Sequence, residues 1–112
     1  MTDPADSFQT QLAVLRQEFA DKLPQRMAAI TAAHAAWCEG GDASMLGEYH
    51  RLVHNLTGAG ATFGYDRISQ RARPLERYLK QLSDVGDAPD AAQFLEAAAL
   101  LDEVRAELLR TC

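Results

Sequence analysis

Cysteine is scarce in this chain. Cys38 and Cys112 are the only two in 112 residues, and one of them is the last residue. That excludes a fold stapled by disulfides and leaves both as thiols, as expected in a reducing compartment. Long hydrophobic runs are missing too: nothing approaches the ~20 apolar residues of a membrane span. The opening M-T-D-P-A-D-S has neither the basic nor the apolar region of a secretory signal, so a cytoplasmic protein is expected. Positive charge is in deficit, with 11 lysines and arginines against 16 acids, a net charge of −5. Such a chain should not coat nucleic acid, and an anionic membrane should repel it, although the average leaves room for a local basic patch.

What is present is an ordinary globular composition, 47% apolar and 24% charged, enough for one core without staples. One domain, residues 1–112, is expected. Pro24, Gly40-Gly41-Asp42, Gly64 and the stretch from Ser83 to Pro89 punctuate the chain. Between them the apolar residues recur at helical spacing. Phe8, Leu12, Leu15 and Phe19 stripe a first segment, about Asp6 to Asp21. A second opens at Pro24, a residue suited to a first helical position, and carries Met27, Ile30 and Trp37. A third starts near Asp42 or Ser44, both good N-caps, and runs to about Phe63. A fourth follows Gly64, with Ile68, Ala72, Leu75, Leu79 and Leu82 in a narrow arc; Pro74 inside it should bend it. A fifth follows Pro89, striped by Phe94, Ala98, Leu101, Val104 and Leu108. The expected fold is all-α: an antiparallel four-helix bundle with an additional N-terminal covering helix. Each helix shows a single apolar stripe, so a monomer is expected.

The third segment contains an anomaly, Y-H-R-L-V-H-N-L-T-G-A-G-A-T-F-G from Tyr49 to Gly64. At about 100° per residue, Tyr49, Leu52, Val53, Leu56, Gly60 and Phe63 gather on a core side. His54 lies about 150° from its centre and faces solvent. Its neighbours there are Gly47, Gly58 and Ala61, with Arg51 and Asn55 further round. A glycine in a helix interior costs roughly 0.5–1 kcal/mol relative to alanine. No packing offsets that on an exposed face, so access is the reading: bare backbone lets a macromolecule approach the imidazole. His50 falls at the edge of the core. His34, beside Met27 and Ile30, reads as a core histidine with its hydrogen bonds satisfied. His50 and His54 have the i, i+4 spacing of a metal pair, but H-R-L-V-H lacks the glutamate of H-E-x-x-H, and no further ligand cluster is evident. No metal site is expected.

The stretch H-N-L-T-G-A-G-A-T-F-G, residues 54–64, resembles the signature of histidine phosphotransfer (HPt) domains, and A-R-P-L-E at Ala72–Glu76 resembles the positions that follow it on the next helix. The resemblance implies that His54 is a phospho-acceptor in a two-component phosphorelay and that Gly58 is the small residue leaving room for the partner. The implied partners are receiver domains of response regulators and hybrid histidine kinases. The implied activity is that of a carrier, not a kinase; the chain also has no Gly-rich nucleotide loop and no kinase signature. No cofactor is expected on this chain, and Mg²⁺ is expected on the receiver. The alternative is a degenerate helical adaptor that binds receivers without carrying phosphate. The chain departs from the family at Thr57, where a lysine is usual. Arg51, Arg67 and Arg71 are the candidates to supply the missing charge. The expected partner-binding set is therefore Gly47, Arg51, Asn55, Thr57, Gly58, Ala61, Arg67 and Arg71.

Overall fold

The computed structural model describes residues 4–111. Cys112 and the first three residues, Met1–Asp3, lie outside the described residues, and with them the reading of Cys112 as a thiol. Cys38 is a free thiol. Four helices follow one another: α1 Pro4–Gly40, α2 Ala43–Thr62, α3 Asp66–Val85 and α4 Ala91–Thr111. No strand occurs among the described residues. Connections of two to five residues turn each helix back along the last.

The first two expected helices are one. Pro24 does not open a helix; it sits inside α1, which runs unbroken for 37 residues. A proline in a helix interior removes one backbone hydrogen bond. Pro24 stands on the exposed side, where water can serve the group left open, while Leu23 and Met27 are buried on either side of it and hold the register. The separate covering helix therefore does not exist. Its residues form the N-terminal half of a helix about 55 Å long, against 20 or 21 residues in each of the others. The long axis of the molecule accordingly reaches 60 Å.

The stops fall where the glycines lie. Gly41 and Gly64 have φ of 63° and 83°, the left-handed region that glycine enters without steric cost. Asp42 then caps α2, accepting from the backbone N–H groups of Ser44 and Met45 at 2.7 and 3.2 Å and from the Ser44 hydroxyl at 2.6 Å. These bonds hold its carboxyl below its ordinary range and satisfy donors that a helix start leaves open.

The core draws on the expected stripes, except that Phe8, Leu12 and Leu15 stay out of it and α4 buries Ala97 where Ala98 was expected. Ile30 and Trp37 of α1, Tyr49, Val53 and Leu56 of α2, Ala72, Leu75 and Leu79 of α3, and Ala97, Leu101 and Val104 of α4 are all buried. Trp37 meets Phe94 edge to face with ring centroids 4.6 Å apart, tying α1 to α4. Phe19 packs on Phe63 and Tyr65 at 5.5 and 5.2 Å. α2 lies between α1 and α3, so it is fixed from two sides and its rotation is well defined.

Candidate functional site

The rotation of α2 decides what its outer face presents. Tyr49, Val53 and Leu56 are locked into the core, which turns His54 outward with 65% of its side chain exposed. Gly47, Gly58 and Ala61 are exposed on the same face. A Cβ added at Gly47 or Gly58 would meet no atom within 4 Å, so the ground around the imidazole is open. His50 is half-buried one turn earlier, its ring nearly parallel to that of His54 at 6.1 Å and 22°.

His54 is not a bare imidazole. Its Nδ1 lies 2.5 Å from Oε1 of Glu76 on α3. Burial of Leu75 and Leu79 sets the rotation of α3 and aims Glu76 across at α2. Glu76 is only 19% exposed. Burial alone would raise its carboxyl. Hydrogen bonds from His54 and Thr57, and the nearby charges of His54 and His50, outweigh burial and hold it below the ordinary 4.5. An ionised carboxylate only accepts hydrogen bonds. A neutral imidazole against such a carboxylate carries its proton on Nδ1, which leaves its lone pair on Nε2.

His50, His54, Arg73, Glu76, Arg77 and Lys80 line one open groove of about 360 Å³. Arg73, Arg77 and Lys80 lie within one to two turns of Glu76 on the same side of α3. Lys80 shares its charge with Asp84 at 2.9 Å. Arg73 and Arg77 make no ion pair among the described residues. An acidic protein thus sets a patch of cations beside its exposed histidine.

Several expected contacts stand elsewhere. Arg67 and Arg71 lie about 180° and 140° around α3 from Glu76. Arg71 approaches Glu107 of α4 at 4.0 Å, and Arg67 lines a hollow with Tyr65, Glu107 and Thr111. Neither joins the groove at His54. Thr57 is buried, at 6% exposure. Its hydroxyl donates to the carbonyl of Val53 at 3.0 Å, with Glu76 as the alternative acceptor for its single proton. Its own carbonyl accepts from Ser69 at 2.8 Å. It is thus not a surface contact: α2 is covered by α3 on that flank, which widens the buried arc beyond the apolar stripe. Asn55 turns towards α1, beside Gln25 and Arg26. Arg51 is exposed but paired with Glu48, at 2.6 and 2.9 Å.

His34 belongs to the core edge. Its Nδ1 shares a hydrogen bond with the Tyr49 hydroxyl at 3.0 Å, and its Nε2 lies 3.4 Å from the Cys38 sulfur. Burial, with Arg105 nearby, depresses its pKa; Asp102 offsets part of this. Among the described residues no three His, Cys, Asp or Glu side chains gather as a metal site, and no helix is long and apolar enough to cross a membrane.

Glu76, Arg73, Arg77 and Lys80 are the site residues that sequence reasoning missed. The signal was present in Glu76, the last residue of A-R-P-L-E, and in Arg73, Arg77 and Lys80, which follow one another at four and three positions around it. One family's sequence model matches the chain, the Hpt domain, over residues 14–108. No curated protein and no solved structure matches it.

Proposed function

Because the chain belongs to the Hpt domain family, whose members act in phosphotransfer within two-component signalling and interact with receiver domains, we propose that His54 carries a phosphoryl group between receiver aspartates. The observation that supports this most is the 2.5 Å contact between Nδ1 of His54 and Oε1 of Glu76 on a histidine whose side chain is 65% exposed.

Phosphoryl transfer needs alignment and charge stabilisation more than covalent machinery. The Nε2 lone pair attacks the phosphorus of a receiver's aspartyl phosphate. The N–P bond forms, the P–O bond breaks, and the aspartate leaves as a carboxylate. The ring now bears a proton on Nδ1 and phosphoryl on Nε2, so it is cationic. Glu76, already ionised, balances that charge without moving. Arg73, Arg77 and Lys80 offset the negative charge of the phosphoryl group and take over the part assigned elsewhere in the family to the lysine that Thr57 replaces. Mg²⁺ sits on the receiver's carboxylates, a hard cation on oxygen ligands. Return of the group to a second receiver reverses each step, and this chain needs no nucleotide site of its own.

The receiver docks on the open face of α2 around Gly47, His54, Gly58 and Ala61 and on the basic side of α3. The test is transfer from a phosphorylated receiver to the wild-type chain and to His54→Gln. Acid-labile label on the first and none on the second is expected. Receiver binding without labelling of the wild type would make the chain an adaptor and overturn the carrier reading.

A further inference from the structure

The bundle does not use the first third of α1. Buried residues of this helix begin at Phe19 and end at Trp37. The bundle's reach along α1 ends near Arg16, whose carbonyl accepts from the Tyr65 hydroxyl at 3.4 Å. Before that point Phe8 is 66% exposed and Leu15 46%, while Leu12 is half-buried. The family match starts only at residue 14. A helical overhang of this length is marginal in water by itself, and this one bears an apolar stripe on which Phe8 and Leu15 lie exposed.

Two features of the stripe specify its occupant. Its spacing is that of a coiled-coil seam: Phe8, Leu12 and Leu15 follow one another at four and three residues, in register with Phe19, which the bundle already buries. It therefore fits another helix with the same repeat. Flanking the seam are Gln9 and Gln11, both exposed. We propose that the overhang pairs antiparallel with the same segment of a second copy of this chain, around a two-fold axis near residue 10.

In that register Phe8 of each copy meets Leu12 of the other, and Leu15 meets the first turn of the opposite helix. The axis brings Gln9 close to its own copy, and Gln11 likewise. A two-fold interface must be its own complement. A charged residue at such a position would repel its copy, whereas a glutamine both donates and accepts and can pair with itself. The antiparallel sense also keeps the two bundles at opposite ends. A parallel pair would bring both bundles to the same point, where Phe63 and Tyr65 already cover Phe19. His54 lies on the α3 side of α2, away from α1, so both phospho-acceptors stay open. The seam is short beside the roughly 20–30 residues a side of stable complexes, so the equilibrium is reversible and depends on concentration.

Sedimentation equilibrium of the full chain tests this. A monomer–dimer equilibrium is expected for the wild type below about 1 mM. Phe8→Glu should weaken the dimer at least tenfold with an unchanged melting temperature, because the side chain is exposed. Gln9→Glu and Gln9→Lys should each weaken it alone, and a mixture of the two should restore it as a heterodimer. A wild type that stays monomeric throughout that range would overturn the proposal, as would a dimer indifferent to Phe8→Glu. So would a stripe whose only occupant is the receiver, seen as Phe8→Glu lowering receiver affinity in a monomeric protein.

Discussion

Glu76 of α3 holds the Nδ1 edge of His54 of α2 at 2.5 Å, across 22 positions of sequence. In the proposed function this one contact orients the ring, selects its tautomer and supplies the counter-charge once the ring is phosphorylated. A hydrogen bond to a charged group is worth about 1.5–3 kcal/mol, and each ~1.4 kcal/mol of barrier is tenfold in rate. Glu76→Gln should therefore slow transfer roughly 10- to 100-fold while the chain stays folded and binds its receiver. Stopped-flow transfer from a phosphorylated receiver reads this, and an unchanged rate would remove Glu76 from the mechanism.

Charge around the site should be carried by one side of α3. The double variant Arg73→Ala, Arg77→Ala should slow transfer and flatten its dependence on ionic strength. Arg67→Ala with Arg71→Ala should leave both unchanged, because those side chains turn towards α4. The reverse pattern would restore the arginines first suggested by the sequence.

At Gly58 stability and function should move in opposite directions. The position is exposed and an added Cβ meets nothing, so Gly58→Met should gain up to about 1 kcal/mol of helix propensity. The same side chain would occupy the receiver's path to Nε2, and displacement of reacting groups by about 1 Å can cost 10²-fold in rate. Thermal melting paired with transfer kinetics checks both. Lost folding would make Gly58 a packing residue, and undiminished transfer would show that the clearing is not needed.

His34 should make stability sensitive to mild acid. Folding depresses its pKa from 6.5, chiefly by burial. The unfolded chain therefore takes up a proton first as pH falls. The contribution is complete above 6.5 and is lost as pH falls through that value and the lower folded one. Melting temperatures measured from pH 7.5 downwards should decline more steeply in the wild type than in His34→Gln. Equal slopes would show that His34 does not titrate with unfolding.

The sequence made most of the helical core legible, because Val53, Leu56, Leu75, Leu79, Leu101 and Val104 recur at helical spacing and are all buried. It also made the outward turn of His54 legible, since that depends only on rotation about α2. Pro24 misled because a proline reads locally as a helix start, whereas Leu23 and Met27, packed on both sides of it, carry the helix through. The partners of His54 were harder to read. Which arginines face it depends on the rotation of α3 against α2, and a wheel drawn for one helix cannot supply that. Thr57 shows the same limit: polar by type, it is buried because α3 covers its flank.

The most direct test of the account is to locate the phosphoryl group. Fragment-ion mass spectrometry under alkaline conditions, after transfer from a phosphorylated receiver, should place it on His54 alone, and nitrogen-15 NMR of the intact protein should place it on Nε2, with Nδ1 still protonated against Glu76. Phosphate on His50 or His34, or on Nδ1 of His54, would contradict it.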